Sequence, residues 1–190
     1  MIRLETERLI LRPWEDRDLD AFAAMNADPE VMRYFPSVMD RDGTSAMMER
    51  AQAKLAADGF CVFPVERKAD GAFLGFVGLN RPSYDKPLPF DPCVEFAWRL
   101  ARSAWGQGYA TEAARAWMGF GFETLGLDEI VAFTTVTNIP SQRVMQRLGM
   151  VRDPADDFLH PMLAQDHPLA PHVLYRLART WASATTSRFT

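Results

Sequence analysis

The chain predicts an α+β fold, a single domain built on a mixed β-sheet flanked by helices, and three features of its 190 residues predict it. Alternating, β-rich segments stand near both ends with helical segments between them, the pattern of a sheet covered by helices. Two short strands around Ala69-Asp70-Gly71 read as a hairpin. The stretch Trp105-Gly106-Gln107-Gly108-Tyr109-Ala110-Thr111-Glu112-Ala113-Ala114 joins a strand to a helix through two glycines.

The elements follow in order. Leu4 to Arg12 reads as the opening strand, and Trp14-Glu15-Asp16 begins a helix that runs to about Asn26. Asp28-Pro29 starts a second, short helix, since proline suits a first turn. Thr44 to Ala57 has helical spacing with Ala46, Met47, Ala51 and Leu55 inward, and Gly59 ends it. Phe60 to Glu66 and Phe73 to Leu79 are the hairpin strands. Four prolines between Arg81 and Pro92 leave an exposed loop there. Beyond it Val94, Phe96, Trp98 and Leu100 alternate with Cys93, Glu95, Ala97 and Arg99, so a strand sends the first set into the core and offers the second to the opposite face. The following helix carries an inward stripe of Ala110, Ala113, Ala114, Trp117, Met118, Gly121 and Leu125, with small residues nearest the glycines. Ile130 to Val136 is a strand, Ser141 to Leu148 a helix stopped by Gly149, Arg152 to Ala170 a long loop, and Val173 to Leu177 the final strand. The domain spans residues 1–180, and residues 181–190 form a tail that frays.

Composition narrows the function. A formal charge of −4 gives no basic footprint for nucleic acid. No apolar run approaches the ~20 residues that cross a membrane, and Arg3, Glu5, Glu7 and Arg8 stand where a signal peptide needs an apolar core, so a cytoplasmic protein is expected. Cys61 and Cys93 lie in apolar surroundings without metal-ligand spacing and read as reduced thiols. His160, His167 and His172 fit no zinc motif, and no metal is expected.

The two-glycine junction can hold a pyrophosphate. Glycine permits backbone angles that converge successive N–H groups on one anion, and the helix N-terminus adds its dipole. A P-loop kinase is excluded because no lysine follows Lys86. A dinucleotide fingerprint fails because Thr111 stands where its third glycine belongs. What the segment resembles is the phosphate loop of the GNAT superfamily of N-acetyltransferases, Arg/Gln-x-x-Gly-x-Gly/Ala, with Gly108 and Ala110 in its last two places and Trp105 replacing the usual first residue. That replacement is common in the branch resembling the ribosomal-protein alanine and serine N-terminal acetyltransferases. Leu4-Glu5-Thr6-Glu7-Arg8-Leu9-Ile10-Leu11-Arg12-Pro13, Asn138-Ile139-Pro140-Ser141, Arg147-Leu148-Gly149-Met150 and His172-Val173-Leu174-Tyr175-Arg176-Leu177 resemble further segments of that branch, so the likeness covers about residues 3–180.

The resemblance implies acetyl-CoA as cosubstrate and attack of a primary amine on its thioester. It implies cofactor contacts at Ala97, Trp98, Arg99, Arg102, Trp105, Gly106, Gln107, Gly108, Tyr109, Ala110, Thr111, Asn138, Ser141 and Arg143, with Arg147 able to add local charge. Glu95 resembles the strand glutamate that family members use as base. Its own chemistry leaves open a solvated or an ion-paired glutamate, Arg99 two residues on being one available partner. A backbone N–H near Ala97 or Trp98 would hold the oxyanion. The tyrosine that many members use as acid falls at Met145, and Ser141 resembles the serine the ribosomal-protein branch is thought to use. Asn138 and Ser141 equally suit a helix start. The acceptor is a small amine or a peptide N-terminus, because an α-amino group loses its proton near ~8 and a lysine near ~10.4. Acidic residues in the 152–170 loop suit a cationic amine or simply a solvated loop, and Arg33-Tyr34-Phe35-Pro36-Ser37 is a loop placed for substrate contact. The rival function is a non-catalytic acyl-CoA-binding or sensor module of the same fold.

Overall fold

The computed structural model describes residues 2–179; the expected tail, 181–190, lies outside them. Two compact units account for the chain, residues 2–80 with Ala97–Trp117, and Arg81–Phe96 with 118–179.

In the first unit, β1 (Leu4–Glu5) and β2 (Leu9–Leu11) form an antiparallel pair, not the one continuous strand expected. The chain reverses between them, where Thr6 N–H donates to Leu9 O at 3.0 Å. Thr6 Oγ1 and the Arg8 N–H both donate to Glu112 Oε1. A 3₁₀ turn over Asp16–Asp18 precedes α1 (Leu19–Ala27), which α2 (Pro29–Met32) follows with Asp28 as cap. The long α3 (Arg41–Asp58) starts earlier than expected because Asp40 Oδ1 accepts from Gly43 N–H, and its buried line is Thr44, Met48 and Ala51 rather than one through Met47. Gly59 ends it at φ 79°, the left-handed conformation that favours glycine. Strands β3 (Val62–Arg67) and β4 (Phe73–Asn80) make the expected hairpin, and β5 (Glu95–Leu100) follows. The sheet order here is β1-β2-β3-β4-β5. Trp14, Phe22, Phe73 and Phe76 fill the face under α1, with Trp14 and Phe22 centroids 4.6 Å apart. Phe63 meets the fully buried Trp117 of α4 (Tyr109–Gly119) edge-on at 5.0 Å.

The second unit carries the parallel part of the mixed sheet, order β5-β6-β9-β7 with β8 on β9. A π-helical turn, Phe120–Thr124, continues from α4 and buries Phe122 beside Gly121. Strand β6 (Glu129–Thr135) pairs parallel with β5 at Glu95↔Val131, and α5 (Ile139–Arg147) leads on. The 152–170 segment is not the plain loop expected: β7 (Val151–Arg152) and β8 (Phe158–Leu159) each pair antiparallel with β9 (Pro171–Ala178). The proline-rich loop before β5 is mostly exposed, as expected, with Pro82 and Phe90 half-buried and Leu88 buried, its N–H donating to Asp91 Oδ2.

Candidate functional site

The glycine turn is built on its own backbone. Gly106 and Gly108 have φ of 74° and 80°, a region that L side chains rarely adopt, so the sequence needs glycine at both places. A Cβ at Gly108 would meet only Arg8 Nη2 at 3.6 Å, so it is the backbone angle and not crowding that a substitution would strain. Trp105 Nε1 donates to Leu100 O at 2.8 Å and Gln107 Nε2 to Ser103 O at 2.8 Å, pinning both shoulders of the turn. Tyr109, Ala110 and Thr111 then form the first turn of α4, whose leading N–H groups have no partners within a helix. Tyr109 is buried, while Trp105 is 39% exposed and Arg102 stands on the surface. Arg8 closes the other side, its guanidinium 4.6 Å from the Tyr109 ring and its Nε donating to Glu112 Oε2 at 2.7 Å. Arg33 lies 5.4 Å from the Trp105 ring, so the predicted substrate loop after α2 reaches the turn.

On β5, Ala97 and Trp98 are half-buried, against the expectation that Trp98 enters the core fully, and Arg99 is buried, against the expectation of an open face. Arg99 Nη1 donates to Asn26 Oδ1 at 2.6 Å. Arg99 pairs with no described carboxylate, so Arg99 is not the ion-pair partner considered for Glu95.

In the second unit, Glu95 is only 7% exposed on β5. The Tyr84 phenol and the Cys93 thiol both feel its charge, and burial first, then nearby carboxylates, push the two groups up, Cys93 to about 12. Burial raises Cys61 likewise to about 12, so neither cysteine is a thiolate at neutral pH. Asn138 caps α5: its Oδ1 accepts from Ser141 N–H at 3.2 Å and its Nδ2 donates to Thr134 Oγ1 at 3.0 Å. Both ends of that amide are engaged, so the capping role expected of Asn138 is observed. Ser141 is half-buried and Arg143 exposed on α5. Met145, at the place where many family members have tyrosine, is 1% exposed and part of the core.

The structure also assembles a cluster that the sequence kept apart. Tyr84 meets His160 edge-on at 5.0 Å, His160 lies 4.9 Å from His172, and Phe133 and Phe158 stand beside both imidazoles. His160 Nδ1 accepts from Met162 N–H, whereas His172 Nδ1 faces the Ala170 carbonyl at 3.0 Å and must carry the proton. Burial lowers both pKa values, that of His160 to about 4, so the pair is neutral at pH 7 with one free Nε2–H and one free Nε2 lone pair. Only the register, with His172 opposite Thr135 on β6 and Phe158 on β8, brings these residues together. No group of metal-ligating side chains occurs among the described residues.

Residues 8–151 match the family described as acetyltransferase (GNAT) domain. The chain is 32% identical over 149 residues to YkkB of Bacillus subtilis, an alignment covering 78% of this chain and 84% of that one. It superposes with a TM-score of 0.77 on an acetyltransferase (GNAT family) of Bacillus anthracis, 24% identical, covering 94% of this chain and 99% of the other. A ribosomal-protein-S5-alanine acetyltransferase of Vibrio fischeri shares the fold at TM-score 0.73 and 17% identity, covering 95% and 99%.

Proposed function

We propose that this chain, which belongs to the acetyltransferase (GNAT) family, carries an acetyl group from acetyl-CoA to a primary amine in the cytoplasm, by direct attack of the amine on the thioester. The observation that carries the reading is the pair of positive-φ glycines at the head of α4, an amide-lined anion seat that needs no basic side chain. In this reading the Trp105–Thr111 turn holds the CoA pyrophosphate, with Arg102 adding charge from the surface, and Arg143 on α5 is a further cofactor contact. Glu95, a buried carboxylate on β5, takes the proton from the ammonium, directly or through water. A backbone N–H at Ala97 or Trp98 stabilises the tetrahedral oxyanion. In this reading Asn138, whose Oδ1 accepts from Ser141 N–H, holds the start of α5, and the Ser141 hydroxyl serves the leaving thiolate. With Met145 buried, no phenol occupies the usual acid position, and a thiolate of pKa near ~8.5 leaves without one.

The acceptor is a small amine or a peptide N-terminus. An α-amino group is easier to deprotonate than a lysine side chain by roughly two pKa units, and a single carboxylate is a sufficient base for it. The test is thiol release from acetyl-CoA with free amines, peptides with a free N-terminus and N-blocked lysine peptides, run on the wild type and Gly108→Val. The wild type should favour the first two classes, and Gly108→Val should bind CoA at least tenfold more weakly, about 1.4 kcal/mol. Preference for blocked lysine peptides would overturn the acceptor assignment. CoA binding without transfer to any amine would favour the sensor function, and unchanged CoA affinity in folded Gly108→Val would remove the glycine turn from the site.

A further inference from the structure

Among the described residues Arg99 is a buried cation without a counter-ion. Only 8% of it is exposed, its Nε has no hydrogen-bond partner, and Asn26 Oδ1 is the acceptor that Nη1 reaches. Asn26 itself is fully buried and fixed, its Nδ2 donating to Thr44 Oγ1 at 3.2 Å while the Thr44 hydroxyl donates to Asp40 O at 2.7 Å. Two rings stand against it: Phe35 at 4.1 Å and Phe76 at 5.5 Å from the guanidinium carbon. These surroundings orient the guanidinium and leave its charge uncompensated. Burial pulls its pKa down to about 10, so it is still a cation at neutral pH. Retaining a lone charge in the interior works against stability.

The geometry of what is unused is specific. With Nη1 committed to Asn26, the Nε and Nη2 edge is left, the side of the fork that takes a carboxylate or phosphate through two parallel hydrogen bonds. Phe35, 39% exposed in the short loop after α2, lies over the guanidinium, and Arg33 of the same loop lies over Trp105 at the head of the glycine turn. We propose that Arg99 is the receptor for an oxyanion of a ligand, with Phe35 as its movable cover, the oxyanion being a carboxylate on the acceptor amine or a phosphate of the cosubstrate. This assignment deepens the acetyltransferase reading and rests on it for the identity of the two ligands.

Binding, not turnover, tests it. Full-length wild type, Arg99→Gln and Arg99→Lys are titrated by thermal shift with two matched pairs, glycine against glycinamide and acetyl-CoA against acetylpantetheine. The wild type should bind the anionic member of at least one pair tenfold more tightly or better. Arg99→Gln should lose at least tenfold of that preference in one pair, which names the source: the amino-acid pair assigns an acceptor carboxylate, the CoA pair a phosphate. Arg99→Lys, charged but without the fork, should fall between. Without ligand, Arg99→Gln should melt no lower than the wild type. A preference equal in wild type and Arg99→Gln, a wild type that discriminates in neither pair, or an Arg99→Gln that melts well below the wild type would each overturn the assignment. A protein that binds in this way but transfers no acetyl group would fail the acetyltransferase reading alone.

Discussion

Arg12 and Arg99 lie in the same unit and are almost equally buried, 6% and 8% exposed, yet they are furnished in opposite ways. Arg12 grips Asp18 with two hydrogen bonds of 2.8 Å, reaches Glu66 Oε2 at 2.9 Å and donates to Pro13 O. Asp18 in turn accepts from Glu15 N–H, so the ion pair fastens the end of β2 to the turn before α1. Arg99 has an amide, two rings and an unfilled edge. Surface exposure is nearly the same in both; the partners separate a charge used to hold the fold from a charge held ready for a ligand. Asp18 and Glu66 raise the pKa of Arg12, whereas burial acts alone on Arg99 and lowers it.

The largest effect is expected from removing Arg12. Arg12→Met strands the 3%-exposed Asp18 carboxylate, and chemical unfolding should show a loss of about 3–5 kcal/mol. Glu66 keeps Arg17 at 3.0 Å, so the loss centres on Asp18, and Arg12→Met with Asp18→Leu should recover most of it. A loss under about 1 kcal/mol for Arg12→Met would erase the distinction between the two arginines.

A smaller effect sharpens it from the other side. His160 is a half-buried base that, unlike arginine, can shed its charge, and it lies with His172 and Tyr84 in an aromatic cluster. Its folded pKa of about 4 lies below the unfolded value, so the unfolded chain takes up the proton first as pH falls. Stability should be complete above pH 6.5 and decline as pH drops towards 4, by no more than about 1.4 kcal/mol per pH unit from this one imidazole. Unfolding free energies of wild type and His160→Asn across that range should converge at low pH relative to pH 7; parallel curves would place the imidazole in water.

What the sequence made legible was what local backbone chemistry decides. Gly59, Gly106, Gly108 and Gly149 all adopt the positive φ that marks helix ends and the two-glycine turn, and Asn138 caps α5. The reversal at Thr6–Arg8 was hidden because the side chain that receives it, Glu112, is more than a hundred residues away. Strands β7 and β8 are two residues each, too short for an alternation to register, and owe their existence to β9. Arg99 read as one of an outward-facing set because alternation says which residues share a face and not whether a second layer covers it; Asn26, Phe35 and Phe76 do. The His160–His172 pair likewise exists only through strand register.

Amine acetylation with a strand carboxylate as base rests on Glu95, and the direct measurement is kcat for acetyl transfer by Glu95→Gln alongside its affinity for acetyl-CoA. The expected result is a fall in kcat of roughly 10² to 10⁴ with nearly unchanged cosubstrate affinity, and loss of the acidic limb of the pH–rate profile. A Glu95→Gln protein that turns over as the wild type does at neutral pH would contradict it.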